Sequence, residues 1–286
     1  MGKEKKVKKE KKAKVAPYAN KRTLTVYLIL RALVIAVMIR SFFRGAYENV
    51  FMCGLTLILL IMPSVLTKKL NIYLPSALEI VILCFIFAAE ILGEISSFYI
   101  RVPNWDTALH TINGFLCAAV GFALVDLFNR DERFTFKLSP LFLAVVAFCF
   151  SMTIGVLWEF FEFSADHFFG TDMQKDTIVR QIHTVELDAT RTNKVVKVKD
   201  IDDVIIVHSD QSQESLGLGG YLDIGILDTM KDLFVNFIGA VVFSILGFIY
   251  VKTRGKGKIA SSFIPQVNMN EESPENKGKD LLSGEL

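Results

Sequence analysis

Six apolar runs, each close to twenty residues long, constrain the fold of this chain more than any other feature of its sequence. A helix of about 20 apolar residues crosses the roughly 30 Å of hydrocarbon in a bilayer, because each residue adds about 1.5 Å. A soluble domain does not need repeated runs of this length. The runs therefore predict an all-α membrane protein, a bundle of six transmembrane helices over residues 24–39, 50–66, 75–97, 107–128, 140–163 and 229–251.

The longest polar interruption is residues 164–228, between the fifth and sixth runs. Within it, residues 184–207 mix β-branched and charged residues in short alternating runs, which predicts two or three small strands. A glycine-rich stretch then returns the chain to the membrane. We expect a small insertion that contains β-structure, and its role is left open between a passive cap and a substrate-gating lid.

Lysine and arginine residues are unevenly distributed and predict the orientation of the chain. Residues 1–22 are dominated by lysine and contain no apolar stretch, so they predict a disordered basic arm rather than a cleavable signal peptide. Basic residues also follow the second, fourth and sixth runs, and six spans put all these segments on one side. We expect residues 23–163 to hold the first five spans of a cell-membrane protein. The arm and a disordered tail at 252–286 would lie in the cytoplasm, and residues 164–228 outside it.

Several common kinds of site are not indicated by the sequence. The four cysteines, Cys53, Cys84, Cys117 and Cys149, fall inside apolar runs and show neither a disulfide framework nor zinc-knuckle spacing. The chain has no nucleotide-binding glycine loop, nucleophile elbow or HExxH motif. Membrane lipids are the expected partners, including anionic headgroups at the basic arm, and no nucleic-acid partner is expected.

Ionisable residues within apolar spans are costly, so they need partners or a function. Residues four apart share one face of a helix, and four spans, the third to the sixth, carry such polar stripes at the end predicted to face outward. The predicted site residues are Asp106 and His110 on the fourth span, Glu159 on the fifth, and Asp228, Asp232 and Asn236 on the sixth, with Glu90, Glu94 and Glu162 as second choices. We expect these helices to direct their stripes into one shared cleft.

Carboxylates with one imidazole and one amide suit a divalent cation, either Mg²⁺ or Mn²⁺, or Zn²⁺ in a mixed oxygen and nitrogen site. Asp228, Asp232 and Asn236 would be ligands, His110 a ligand or a general base, and Asp106 a ligand or the group that orients His110. Glu159 is the other candidate general base. Substrates at an outer leaflet would be lipid-linked phosphates or envelope precursors.

The residues alone leave two further alternatives open. In an ion- or proton-coupled transporter the same carboxylates would carry the coupling ion, and a polar path to the inner leaflet would be required. The sequence offers only Arg31, Glu79 and Asp126 for such a path. In a structural protein without chemistry, the acids would be neutralised by lysines and arginines or hydrogen-bonded between helices.

Two further residue patterns concern packing. Gly114, Gly121, Gly155 and Gly239 are predicted to allow close approach of helices. Arg31, in the middle of the first run, is expected to pair with carboxylates or carbonyls of a neighbouring helix.

The order of these motifs resembles a known group of proteins. Asp106-Thr-Ala-Leu-His110, Asn113-Gly114-Phe115, Trp158-Glu159 and Asp228-Thr-Met-Lys-Asp232 with Asn236-Phe-Ile-Gly239 are similar to the YjdF-like family of uncharacterised bacterial membrane proteins, and more distantly to VanZ-like proteins. Gly170-Thr-Asp-Met-Gln174 is similar to a short element of the same family. The resemblance covers residues 75–250, but the insertion at residues 177–219 departs from it. It implies a membrane fold and a site rather than a reaction. The VanZ-like group is associated with glycopeptide-antibiotic tolerance and the cell surface.

Overall fold

A computed structural model describes residues 20–69, 72–130, 138–253, 261–264 and 266–267. Within these ranges, six helices are long and apolar enough to cross a membrane. The predicted fold class is therefore confirmed, both in its six membrane-spanning helices and in the small strand-containing insertion between the last two. The predictions of a disordered arm and tail fall almost entirely outside the described residues.

The helices follow the apolar runs, and those of the first, second, fourth and sixth runs extend beyond them at both ends. They are α1 (Lys21–Phe43), α2 (Tyr47–Leu59), α3 (Met62–Lys69), α4 (Ser76–Phe87), the short α5 (Phe98–Arg101), α6 (Trp105–Arg130), α7 (Pro140–Phe169) and α8 (Ile226–Lys252). Together α2 and α3 make the second span, and α4 continues as a π-helix over Ala88–Ile95 to complete the third.

The helix α8 has an inverted distribution of polar and apolar side chains compared with a helix of a soluble protein. Asp232 and Asn236 are each 1% exposed. Large apolar side chains cover the opposite face, and these are Ile226, Leu227, Met230, Phe234, Phe237, Ile238, Val242, Ile245 and Ile249. An apolar surface this long is unfavourable in water and favourable against lipid chains. The face opposite Asp232 is therefore the lipid-facing surface of α8.

The chain divides into two compact units. The first unit takes in residues 1–105, 123–140 and 246–286, as far as these are described. Its core lies between α1, α2 and α4 and contains Tyr27, Val34, Cys53, Leu60, Leu83 and Ile91. Arg31 donates a hydrogen bond to the hydroxyl of Tyr27 one turn earlier on α1. The expected partner on a neighbouring helix is thus replaced by a phenol on the same helix.

The π-helix in the first unit carries Glu90 and Glu94. Glu90 is half-buried and Glu94 is exposed. A Cβ at Gly93 would overlap the ring of Tyr99, so only glycine allows this ring to pack against the segment. Single π-helical turns often occur at functional sites. Glu90 and Glu94, however, belong to the first unit, whereas Asp106, His110, Glu159 and Asp232 belong to the second.

The second unit contains residues 106–122 of α6 and residues 141–245, which include most of α7 and α8. Its helices approach closely at glycines, as the sequence predicted. A Cβ at Gly114 would overlap the carbonyl oxygen of Asn236, and a Cβ at Gly239 would overlap that of Thr111. A Cβ at Gly155 would lie 2.6 Å from the side-chain nitrogen of Asn236. These contacts hold the polar stripes of α6, α7 and α8 together.

Residues 170–225 join α7 to α8, and we call them the connecting segment. Gly170 ends α7 with a φ of +66°, a conformation that glycine adopts without strain. The strands form three antiparallel pairs, β2 (Ile178–Val179) with β7 (Tyr221–Leu222), β3 (Ile182–Thr184) with β4 (Val196–Val198), and β5 (Ile205–Val207) with β6 (Gln213–Ser215). The predicted short strands are present. A fourth pair, β1 (Ile72–Tyr73) with β8 (Gln266–Val267), belongs to the first unit.

Asp188 organises the loop between β3 and β4. Its carboxylate accepts hydrogen bonds from the amides of Thr190, Thr192 and Lys194 and from the Thr190 hydroxyl. These bonds, led by the one from the hydroxyl, lower the pKa of Asp188 to about 2. A depressed carboxyl pKa stabilises the folded loop fully above the usual pKa of about 3.9. That contribution is lost as the pH falls through about 2.

Replacing Gly114 or Gly239 by alanine is expected to lower the free energy of unfolding by about 1–3 kcal/mol, because an added methyl group overpacks a helix contact that has no space for it. Thermal denaturation in detergent, followed by circular dichroism, measures the effect. Gly54→Ala is the matched control, since a Cβ there meets nothing within 4 Å. Equal melting temperatures for all three variants would contradict the close packing described.

Removing the Asp188 carboxylate is expected to open the β3–β4 loop to protease, because the bound amides lose their acceptor. Asp188→Ala should be cut several-fold faster by trypsin after Arg191 or Lys194 than the unaltered protein, measured by mass spectrometry of the fragments. Asp202→Ala, which removes an exposed carboxylate from the same segment, is the control. Unchanged cleavage in Asp188→Ala would show that the loop does not depend on this residue.

Candidate metal centre

Three helices of the second unit bring four ionisable side chains together. Asp106 and His110 lie one turn apart at the start of α6, Glu159 lies near the end of α7, and Asp232 lies in the second turn of α8. His110 is 9%, Glu159 4% and Asp232 1% exposed, while Asp106 is half-buried. Neighbouring helices run in opposite directions, so these positions lie at the same end of the unit. Asp106, His110, Glu159 and Asp232 therefore form one cluster at this end of the second unit.

The imidazole of His110 is at the centre of the cluster. Its Nε2 lies 3.5 Å from Oδ1 of Asp106 and 3.9 Å from Oδ2 of Asp232. Its Nδ1 lies 3.9 Å from Oε1 of Glu159, on the other side of the ring. One nitrogen therefore faces two carboxylates from different helices, and the other nitrogen faces a third carboxylate.

The spacing around Nε2 suits a cation. In a tetrahedral site, two donor atoms each about 2.1 Å from the ion lie about 3.4 Å from one another. One donor atom from each of Asp106, His110 and Asp232 can be chosen so that all three lie within 4.8 Å of one another. Two carboxylates would also balance the charge of a divalent ion, which makes a buried position for that ion favourable.

Two buried oxygen atoms of the cluster have no protein donor. Asp232 Oδ1 and Glu159 Oε2 are buried and make no hydrogen bond within the described part of the chain. A buried acceptor without a partner costs on the order of 1–3 kcal/mol, and more when it is charged. The lack of hydrogen bonds at these two oxygen atoms therefore favours a bound ligand, in addition to the short distances between the carboxylates and His110.

Asp228, a predicted ligand, is engaged by protein donors instead. Its Oδ1 lies 3.2 Å from the ammonium of Lys231, and its Oδ2 accepts a hydrogen bond of 3.0 Å from the amide of Lys175. Lys231 also approaches Asp232 Oδ1 at 3.9 Å. The structure thus positions Asp228 to hold Lys231 and the connecting segment beside the cluster.

Asn236 lies one turn deeper than Asp232, in the contact between helices. Its side-chain nitrogen is 3.5 Å from the backbone oxygen of Ser151, and Gly155 and Gly114 pack against it. Its Oδ1 is buried and is not hydrogen-bonded within the described residues. The position is one of helix packing, below the two carboxylates that face Nε2 of His110.

Glu162, a second-choice residue, accepts a hydrogen bond of 2.8 Å from the indole nitrogen of Trp158 one turn earlier on α7. It is 8% exposed and is the nearest further carboxylate to Glu159 along the helix. Glu90 and Glu94, the other second choices, lie in the first unit and are not among the residues that form the cluster.

The family match covers the whole of this arrangement. Residues 26–253 match the model of a family described as "Predicted membrane protein (DUF2238)". The chain belongs to this family. No curated protein and no solved structure matches the chain.

The part of the chain matched to the DUF2238 family includes all four residues of the cluster and also two residues that sequence reasoning missed, Gln174 and Thr229. Gln174 donates a hydrogen bond of 2.6 Å to the hydroxyl of Thr229 in the first turn of α8. Both side chains lie beside the carboxylate of Glu159. In the sequence, Gln174 is only the last residue of the short element Gly170–Gln174, and a single threonine after an aspartate, such as Thr229, is common at a helix start.

Proposed function

We propose that this member of the DUF2238 family is a multi-pass protein of the cell membrane with a divalent-cation site formed by Asp106, His110 and Asp232. One observation carries the proposal. Two helices direct two carboxylates at the same buried imidazole nitrogen, at spacings that suit one ion, and one of these carboxylates has a buried oxygen that makes no hydrogen bond in the described part of the chain. One imidazole with two carboxylates favours Zn²⁺ or Mn²⁺ over Mg²⁺, which prefers oxygen donors and water.

Glu159 has a supporting role in this proposal. Metal-bound histidines commonly donate their second ring nitrogen to a carboxylate, which fixes the tautomer and the orientation of the ring. Glu159 faces Nδ1 of His110, the nitrogen opposite the proposed ion. The orienting carboxylate is thus Glu159 rather than Asp106, and Gln174 and Thr229 hold Glu159 in place.

The orientation supports a site that is open to the outer side of the cell membrane. The basic residues at both ends of the chain favour cytoplasmic termini, and with six spans the first turns of α6 and α8 then face outward. Lys231, 45% exposed at its side chain, lies at the edge of the lipid-facing surface of α8. A bound cation supplies Lewis acidity to a phosphoryl oxygen, and Lys231 supplies a second positive charge beside it.

These features favour lipid-linked phosphates of the cell envelope as the substrate class. Such substrates keep their chains in the bilayer and present a charged group at the depth of the cluster. The likeness of the motif order to YjdF-like and VanZ-like proteins supports a role at the cell surface.

Replacing a proposed ligand is expected to remove the metal. The unaltered protein, purified without chelator and equilibrated with Zn²⁺ or Mn²⁺, should hold about one equivalent per chain by elemental analysis. Asp232→Ala and His110→Ala should each lower the affinity by much more than 10-fold, because each removes a donor atom from the ion. Glu159→Gln, which alters only the supporting carboxylate, should lower it by about 10–100-fold.

Two control variants separate this result from misfolding. Glu79→Gln alters a buried carboxylate of the first unit and should leave the metal content unchanged. Asn236→Ala should lower the melting temperature but retain the metal, since Asn236 lies in the helix contact. Loss of metal in Asn236→Ala with an unchanged melting temperature would add Asn236 to the ligands. Equal metal content in the unaltered protein and in Asp232→Ala would contradict the site.

A second experiment tests the substrate class. The metal-loaded protein in nanodiscs should release phosphate from a polyprenyl diphosphate, and Asp106→Asn or Asp232→Ala should lower the rate by at least about 100-fold. Phosphate is measured colorimetrically. A metal-loaded protein that releases no phosphate would exclude this reaction and favour an ion-binding or transport role for the same residues.

A further inference from the structure

The connecting segment contains two neighbouring hairpins of opposite charge. The basic hairpin, residues 180–199, includes β3 and β4, and the acidic hairpin, residues 200–215, includes β5 and β6. The basic hairpin carries Arg180, Arg191, Lys194, Lys197 and Lys199 against only Glu186 and Asp188. The acidic hairpin carries Asp200, Asp202, Asp203, Asp210 and Glu214, and no lysine or arginine occurs between Lys199 and Lys231.

The opposite charges of the two hairpins are not paired with one another in the described part of the chain. Among the described residues no ion pair joins the basic hairpin to the acidic hairpin. The ion pair found in this region, between His208 and Glu214 at 3.5 Å, lies within the acidic hairpin itself. Each hairpin therefore keeps its charge available for a surface of the opposite sign.

The two hairpins also present unpaired backbone and apolar side chains. Neither pairs with a third strand in the described part of the chain. Ile205 and Val207 lie on one face of β5 and are 59% and 57% exposed, and Val195 beside β4 is 52% exposed. Two-stranded sheets of three residues per strand are marginal by themselves, and exposed strand edges with apolar side chains favour pairing with another chain.

We propose that the connecting segment is a homodimer interface in which the basic hairpin of one copy contacts the acidic hairpin of a second copy. In a two-fold symmetric contact, the same surface serves both partners. The basic hairpin of each copy therefore contacts the acidic hairpin of the other copy. A second copy therefore neutralises both hairpins at once and covers the apolar residues of β5. This interface is independent of the proposed metal centre.

Reversing the charges provides the test. Two differently tagged copies of the full chain are co-expressed, extracted in mild detergent and purified through one tag, and the amount of the second tag is measured. The unaltered copies should co-purify, and 0.5 M salt should weaken the association, because the Debye length then falls to about 4 Å. One variant is Lys197→Glu with Lys199→Glu, and the other is Asp202→Lys with Glu214→Lys.

Each reversed variant should lose association with itself by at least about 10-fold, since the replaced side chains then face side chains of the same charge. A mixture of the two variants should restore association, because the introduced glutamates of one copy then face the introduced lysines of the other, while the two unaltered hairpins meet as in the unaltered protein. Lys197→Arg with Lys199→Arg keeps the charge and should associate normally. The four replaced residues are exposed and lie away from the helices, so the melting temperature should not change.

Three results would overturn the proposal. They are unaltered copies that do not co-purify, reversed variants that still associate with themselves, and a mixture that fails to restore association. Binding of the basic hairpin to anionic vesicles, lost in Lys197→Glu with Lys199→Glu while the copies never co-purify, would assign the hairpin to lipid instead. None of these results bears on metal content, which is measured separately in the same preparations.

Discussion

A charged group in a hydrocarbon environment must be compensated, and this constraint determines how α6, α7 and α8 pack. Asp232 is nearly inaccessible in the second turn of a helix whose opposite face is apolar. It is compensated in part by Lys231 and lies close to Nε2 of His110. Because these partners come from two helices, the helices are held in one register, and a one-turn slip of α8 would leave several buried charges without partners.

Close helix contact makes this register possible. Gly114, Gly155 and Gly239 bring the backbones together around Asn236, one turn below the cluster. Helices in lipid associate through such small-residue contacts, since burying apolar surface gives little advantage there. The glycine contacts therefore lie deeper along the helices, and the ionisable cluster lies nearer the helix ends. This separation is why Asn236 is assigned to packing and Asp232 to the proposed ion.

The sequence predicted the spans and most of the cluster, because both follow from simple periodicities. Apolar length predicts a membrane helix, and the four-residue spacing of Asp106 with His110 and of Asp232 with Asn236 predicts polar faces. The pairing of Asp228 with Lys231 follows from their spacing of three residues, but the hydrogen bond from the amide of Lys175 could not be predicted, since backbone donors carry no sequence signal. The position of Gln174 beside Glu159 could not be predicted either, because it depends on how the connecting segment folds back.

The way in which the connecting segment is attached explains how an insertion can coexist with an intact cluster. Asp166 on α7 accepts hydrogen bonds from the amides of Met173 and Gln174, so the first residues after the helix are fixed. The chain then enters β2, which pairs with β7 just before α8 begins. The two hairpins leave and return through this one strand pair. Their length and charge can therefore change with little effect on Glu159 and His110, whereas a change at Gln174 would act on the cluster directly.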